Sequence, residues 1–339
     1  MRIGLTYDLK ADYLARGLTH EAVAEFDSEE TIAALAEALT GAGHEPVRVG
    51  NVFALVKALE RGERWDLVFN LCEGLWGRSR EAQVPALLEA YGIPYTFSDP
   101  LVLALTLDKA MAKRIVRDAG LPTPGFFLAA TVEEIRALHG ALDFPLFVKP
   151  VAEGTGKGVT PHSLVHDRAA LERQAGRLLE EFRQPVLVEN YLPGREVTVG
   201  ILGTGRKARS LGVLEIHLGE KAEPGLYSYS NKQLYEDRVT YALVADQALA
   251  REAETLALAV YQAFGCRDAG RVDLRADQDG RLHFLEINPL AGIHPVHSDL
   301  PILCRLLGVR YAELIAGILE SACERLGQVP EVVGRVAGA

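Results

Sequence analysis

Between residues 270 and 292 the chain reads GRVDLRADQDGRLHFLEINPLAG. Arg271 and Asp273 alternate with Val272 and Leu274, so on an extended strand they project from one face. Glu286 and Asn288 repeat that spacing after Asp279 and Gly280, a dipeptide that favours a tight hairpin turn. Two carboxylates and one amide oxygen, set beside Leu285 and Ile287, are hard acceptors suited to magnesium, with phosphates completing the shell. Arg271 beside them is placed to meet a phosphoryl group in transfer. A hairpin with a merely charged outer face does not account for an apolar strand that ends in Glu-Ile-Asn-Pro.

A second group lies at 146–160, LFVKPVAEGTGKGVT. Lys149 ends an apolar run and is followed by Glu153, Thr155 and glycines at 154, 156 and 158, so one ammonium and several backbone N–H groups can gather around phosphates. The pattern is not a P-loop, because Lys157 precedes Gly158 rather than Ser or Thr and position 150 is Pro. Taken alone it is equally a hairpin loop between two strands. A third stretch, 186–200 (VLVENYLPGREVTVG), passes from an apolar strand through a polar break into a strand carrying Glu196. A strand edge there can pair with an adenine ring while Glu196 accepts both ribose hydroxyls; the plainer alternative is strand, turn, strand with a solvated glutamate.

These segments need a scaffold, and its rhythm is visible. Over the first hundred residues apolar runs at 3–6, 47–49 and 67–69 alternate with amphipathic stretches, as in a parallel sheet. Asp27 and Ser28 are candidate caps for a helix with Ile32, Leu35, Ala36 and Leu39 on one face and Gly41 and Gly43 as its stop. A second helix is expected near 52–59. The first strand is not followed by G-x-G-x-x-G, so a Rossmann-like layer without NAD is expected. From residue 100 the pattern predicts one long helix over 101–119 and then strands at 144–149, after Gly158, and at 186–189, with a helix over 167–182. Strands at 197–202 and 210–216, a helix over about 246–264 and the 271–287 hairpin complete the expected elements.

The 339 residues are 48% hydrophobic and 24% charged, enough for two or three compact domains. Only the weakly patterned end, 332–339, lacks such a signal. A net charge of −10 argues against a nucleic-acid surface. The four cysteines, Cys72, Cys266, Cys304 and Cys323, form no C-x-x-C pair and suit a reduced interior. The start runs straight into a strand and no apolar run is long enough to span a bilayer, so the cytoplasm is the expected compartment and no membrane partner is expected.

In this order and spacing the segments resemble the ATP-grasp superfamily, and within it the D-alanine–D-alanine ligase family, from about residue 67 to residue 307. The resemblance implies an α/β, three-domain ATP-grasp fold: an N-terminal Rossmann-like pre-ATP-grasp domain over 1–99, a central subdomain over 100–189, and a C-terminal subdomain with the metal and substrate site over 190–330. Lys109, closing 91–109 (YGIPYTFSDPLVLALTLDK), matches the family's first phosphate-binding lysine, and Lys149 the second. Glu153, Gly154 and Thr155, with Gly156 following, look like the loop that closes over the β- and γ-phosphates. Glu189, Asn190, Tyr191 and Leu192 match the adenine hinge, with the Leu192 N–H on the ring, and Glu196 the ribose contact. Lys232, in 227–233 (YSYSNKQ), resembles a further phosphate-contacting lysine. Asp273, Glu286 and Asn288 fall on the family's metal ligands and Arg271 on its transition-state arginine; Ser298 is a candidate partner for a substrate carboxylate. The implied cofactors are ATP and magnesium (or manganese). The implied reaction joins a small carboxylate to an amine, usually of an amino acid, through an acyl phosphate with release of ADP and phosphate. No protein nucleophile is implied, and the resemblance suggests a homodimer.

Departures from the family fall on the substrate side. Its glycine-rich first loop and Ser/Glu pair are missing from 6–30, where Glu25 and Glu29 are the candidates for a substrate ammonium. The usual H-G-x-x-G-E-D is replaced by 70–81, NLCEGLWGRSRE, bringing Glu73, Arg78 and Arg80. After Asn288 the segment 289–299 (PLAGIHPVHSD) adds His294 and His297, and the tyrosine after the loop lysine is Gln233. The histidines read as substrate contacts or surface groups ahead of zinc ligands, and Cys72 as buried packing. These changes keep open a ligase that joins a different, larger carboxylate to an amino acid, a reading the extra arginines favour. A non-catalytic nucleotide-binding protein ranks last, because no metal ligand or phosphate lysine is missing.

Overall fold

The computed structural model describes residues 1–137, 142–219 and 239–327. Lys232 and Gln233, and the end at 332–339, lie outside the described residues. The chain is a mixed α/β protein built on three sheets.

The first sheet is parallel, in the order β2-β1-β3, with β1 Arg2–Tyr7, β2 Glu45–Gly50 and β3 Leu67–Leu71. Side chains alternate across a strand, so Leu67, Phe69 and Leu71 pack on Ile32, Leu35 and Leu39 of helix Glu29–Gly41, whereas Val68 packs on the other face with Leu55 and Leu59 of helix Val52–Glu60. Burial on both faces explains why β3 reads as a continuous apolar run. Each such side chain contributes roughly 1.5–3 kcal/mol. Gly4 is required by close approach, since a Cβ there would lie 2.9 Å from the Trp65 ring. Ser28 caps the first long helix, its Oγ accepting from the Thr31 N–H at 3.2 Å. A short helix, Lys10–Leu14, was not legible in the sequence; it is pinned by the Tyr13 hydroxyl donating to Asp8 at 2.5 Å.

The helix expected over 101–119 is two helices, Pro100–Leu107 and Lys109–Asp118. The break is at Asp108, which is extended (φ −82°, ψ 99°) and caps the second helix by accepting from the Met111 N–H at 2.9 Å. Arg78 holds the other carboxylate oxygen, its Nε at 2.6 Å, and the Lys109 N–H donates to the Val151 carbonyl at 3.0 Å. Apolar periodicity runs through 101–119 unbroken, so only these tertiary partners reveal the step.

The second sheet is antiparallel, β4-β7-β5-β6, with β4 Phe126–Ala129, β5 Leu146–Pro150, β6 Leu164–Val165 and β7 Val186–Asn190. The strand expected after Gly158 is reduced to two residues following a 3-10 turn at Pro161–Ser163, and β4 was not anticipated. Helix Arg168–Phe182 covers this sheet through Leu171, Ala175 and Leu178.

The third sheet is antiparallel, β10-β9-β8-β11-β12, with β8 Glu196–Leu202, β9 Arg209–Leu218, β10 Val239–Leu243, β11 Ala269–Ala276 and β12 Leu282–Asn288. Helix Gln247–Phe264, capped by Asp246 and ended by Gly265 at φ +71°, packs Leu256, Val260 and Tyr261 on it. Helix Asp299–Leu306 lies tightly on β8, where a Cβ on Gly200 would meet Leu303 at 2.7 Å. The last helix, Tyr311–Gly327, returns to the first sheet and buries Leu314, Ile315 and Ile318 in its core. Asp268, fully buried, ties the two blocks by accepting from the Phe97 N–H and from Arg325, each at 2.8 Å.

Candidate active site

The β11–β12 register pairs Arg271 with Asn288 and Asp273 with Glu286, so the four side chains anticipated from their alternation do share one face. Asp273, largely buried, accepts from the Thr198 hydroxyl at 2.8 Å and from Asn288 Nδ2 at 3.2 Å. Arg271 bridges Asp273 (3.4 Å) and Asp299, against which its guanidinium is tightly paired. Lys109 reaches Glu286 at 3.3 Å and donates to the Glu153 carbonyl at 2.6 Å. Among the described residues no three His, Cys, Asp or Glu side chains converge as a metal cage. The donor set is therefore two carboxylates and one amide, which fits a hard cation that takes further oxygens from its ligand. The Asn288 amide would have to turn its oxygen inward for this.

Beside that face a cavity of about 110 Å³ is lined by Lys109, Lys149, Glu153, Gly156, Glu189 and Glu196, among others, with Asn190, Tyr191 and Leu192 on its edge. Lys149 pairs with Glu189 at 2.6 Å, and Glu189 is held from behind by the fully buried Lys113 at 2.8 Å. Burial alone would raise the Glu189 pKa, but Lys113 and Lys149 outweigh it and bring it to about 2. Burial lowers Lys113 to about 8, with Glu189 opposing. Lys149 is raised, the carboxylates of Glu189 and Glu286 overcoming its burial. Lys113 was missed by the sequence reading, although it sits one helical turn after Lys109 on the same helix. Phe147 and Tyr191 stack at 6.4 Å, and Arg275 ion-pairs with Glu196 at 3.1 Å while lying over the Tyr191 ring.

The glycine loop adopts a left-handed backbone at Thr155 (φ +52°), Gly156 (φ +72°) and Gly158 (φ +75°). A β-branched residue there carries strain of the kind that collects at ligand-binding loops. Lys157 anchors the loop, reaching Glu153 at 2.5 Å and Glu25 at 2.8 Å. Arg80 binds Glu25 at 3.0 Å and the Ala152 carbonyl at 2.8 Å. Although burial would raise it, the Glu25 pKa is lowered because Arg80 and Lys157 prevail.

A larger cavity of about 810 Å³ opens from Lys109, Arg271, Glu286 and Asn288 toward the N-terminal sheet. Its walls include Glu25, Asp27, Glu73, Glu81, His294 and Ser298. Of the two candidates for a substrate ammonium, Glu25 is on the wall but already ion-paired, and Glu29 points away, exposed and paired with Arg48. The extra arginines line neither cavity. Arg78 turns onto Asp108 and Arg80 is buried on Glu25, so they do not favour a larger acid. Cys72 is buried in packing, where desolvation holds its thiol well above the ordinary range. The His294 and His297 rings stack at 4.3 Å. His294 Nδ1 accepts from the Val296 and His297 N–H groups, both at 3.2 Å, leaving Nε2 toward Glu30 at 3.5 Å. The Ser298 hydroxyl accepts from the His294 N–H at 3.0 Å. Asp299 and Glu81, to which the sequence assigned no role, complete the walls; neither stands in a recognisable motif.

Residues 115–320 match the family described as D-ala D-ala ligase C-terminus. The chain belongs to the D-alanine–D-alanine ligase family. It is an ATP-dependent ligase of that type. It is 37% identical over 263 residues to the D-alanine–D-alanine ligase of Bordetella petrii, covering 77% of each chain, and 36% identical over 307 residues to the uncharacterised protein y4sG of Sinorhizobium fredii, covering 88% of each. Its fold resembles that of the Bacillus anthracis D-alanine–D-alanine ligase crystallised with ATP, with a TM-score of 0.72 at 23% identity over 97% of this chain and 99% of that one. Among the described residues no helix is long and apolar enough to cross a membrane.

Proposed function

We propose that this ligase binds ATP across the smaller cavity and the adjoining mouth of the larger one, holds an acid and an amine deeper in the larger one, and joins them through an acyl phosphate. The observation that carries this is that Lys109, Glu286 and Asp299 line both cavities, with Arg271 and Asn288 beside them on the wall of the larger one. Lys109 and Lys149 neutralise phosphate charge, and Glu189 with Lys113 keeps the Lys149 ammonium in place. Asp299 and Asp273 fix the Arg271 guanidinium where negative charge grows on the transferring phosphoryl group. Asp273, Glu286 and Asn288 would hold magnesium, whose charge, when bound, offsets that of the phosphate oxygens. Thr155, Gly156 and the adjoining loop cover the phosphates and exclude water. Leu192 with its neighbours Glu189, Asn190 and Tyr191 receives the adenine, Glu196 the ribose, and Lys232 a further phosphate oxygen; Ser298 takes a substrate carboxylate.

We place the three units at 1–99, 100–189 and 190–330, the first Rossmann-like, and infer a cytoplasmic homodimer. Because the family's own ammonium contacts are missing, the same chemistry on an acid other than D-alanine is the second reading, favoured by the acidic cavity wall at Glu73 and Glu81. ADP release from magnesium-ATP, measured against pairs of D- and L-amino acids with mass spectrometry of products, tests both. Formation of D-alanyl-D-alanine selects the first reading and a different amide the second; ATP binding with no amide from any acid and amine removes the ligase proposal.

A further inference from the structure

Several charges around the larger cavity are accounted for. Glu25 is held by Arg80 and Lys157, Asp299 by Arg271 and Glu286 by Lys109, while Glu30 is exposed to solvent. Asp27 is raised to about 8 by burial and by Asp8, with Lys10 opposing only in part, and it makes no ion pair or side-chain hydrogen bond among the described residues. Glu73 and Glu81 likewise make no ion pair or side-chain hydrogen bond among the described residues, and these two come from a single crossing of the chain. Glu81 is only 9% exposed and yet lines the cavity.

The backbone brings these two carboxylates together. Gly74 packs so closely on the next turn that a Cβ there would lie 2.6 Å from the Arg80 carbonyl, and its N–H is fixed by Asp8 at 2.9 Å. Glu73 and Glu81 therefore flank one tight crossing of the chain and face the same space. Desolvation, then the neighbouring carboxylates Glu81 and Glu25, holds Glu73 well above the ordinary range; burial carries Glu81 to about 7. Carboxylates left so are costly unless protonated or joined by a cation, and an ammonium has three donors with which to bridge two of them.

We infer that Glu73 and Glu81 form a subsite for a protonated amine of the substrate whose carboxylate is activated. An ammonium held this way has no lone pair, so it is not the attacking nucleophile, and on this reading the acid donor carries it. The acid substrate is thus an amino acid or diamino acid, and its cationic group is read here rather than on Glu25 or Glu29. This rests on the ligase reading.

The test is steady-state ADP release by the full chain with magnesium-ATP, each acid donor offered with alanine as the amine acceptor and the amide product identified by mass spectrometry. The acid donors are D- and L-alanine, ornithine and lysine, beside lactate and norleucine, which lack the α-amine and the side-chain amine respectively. Use of alanine with rejection of lactate assigns the α-amine to the subsite, and use of ornithine or lysine with rejection of norleucine assigns the side-chain amine. In either arm Glu81→Gln, and separately Glu73→Gln, should raise the acid-donor KM at least 10-fold while the KM for ATP stays within twofold, with unfolding temperatures close to that of the parent. An unchanged acid-donor KM in both variants overturns the inference. So does a loss confined to kcat with an altered pH profile, which would make Glu81 a base for the attacking amine. Equal use of donors with no amine also overturns it. Absence of ADP release with every donor, while ATP still binds, instead removes the ligase reading beneath it.

Discussion

Glu189→Gln tests how the phosphate end of the site is held together, because it deletes one charge between two buried lysines. In the native protein the carboxylate, ordinarily near 4.5 and here about 2, contributes about 3 kcal/mol at neutral pH. Lys113, lowered from 10.5 to about 8, costs about as much, so the pair nearly breaks even, as buried pairs tend to. The substitution removes only the favourable half and leaves two ammonium groups facing a neutral amide. Loss of one partner of a buried pair costs roughly 3–5 kcal/mol, which at about 2–4 °C per kcal/mol lowers the unfolding temperature on the order of 10 °C. Lys149, released from its 2.6 Å contact, should bind nucleotide roughly 10–100-fold more weakly, the value of one charged hydrogen bond. The pH dependence gives the sign. A depressed carboxyl pKa means that the contribution of Glu189 is present above about 4.5 and lost as pH falls through about 2, so parent and variant should converge over that window. Between about 8 and 10.5 the unfolded chain binds more protons at Lys113 than the folded one, so parent stability gains from this group as pH rises. Chemical unfolding across pH, with magnesium-ATP titrations at neutral pH, reads all of this. A destabilisation below about 1 kcal/mol, or one unchanged across the acid window, refutes the account of the triad.

Three further outcomes follow from the same geometry. Glu286→Ala should abolish ADP release while circular dichroism and unfolding temperature stay close to the parent, since the side chain faces Lys109 and the cavity rather than the core; an active variant removes the residue from the metal set. Lys149→Ala should weaken nucleotide binding roughly 10–100-fold by calorimetry, and an unchanged affinity would take that lysine away from the phosphates. Gly154→Ala would put a Cβ 2.0 Å from Glu25 Oε1, and because Arg80 and Lys157 hold that carboxylate it cannot simply swing away. It should cost roughly 1–3 kcal/mol and raise the KM for ATP; a variant with parental stability and kinetics would show that the loop is not anchored there.

How much of this was legible follows the range of the interactions. Alternation on β11 and β12 placed Arg271, Asp273, Glu286 and Asn288 on one face because a strand turns its side chains with a period of two whatever surrounds it. The cap at Ser28 and the hairpin at Gly280 were readable for the same reason, being decided within a few residues. Strand β4 has only four residues and β6 two, too few for a period to emerge from the apolar background.

What the sequence by itself determined is therefore the order of the segments, the shared face of Arg271, Asp273, Glu286 and Asn288, and the membership of the D-alanine–D-alanine ligase family. What only the tertiary structure decided is which charges are already satisfied. Glu25 and Arg80 looked available for substrate until they were found bound to each other, 55 residues apart in the chain. Lys113 drew no reading from the sequence, and it is the fold that buries it behind Glu189; Glu81 carried no signal until the crossing at Gly74 set it beside Glu73. The physical reason is that charge pairing and desolvation depend on distance in space, to which spacing along the chain is blind beyond the reach of one helix turn or one strand.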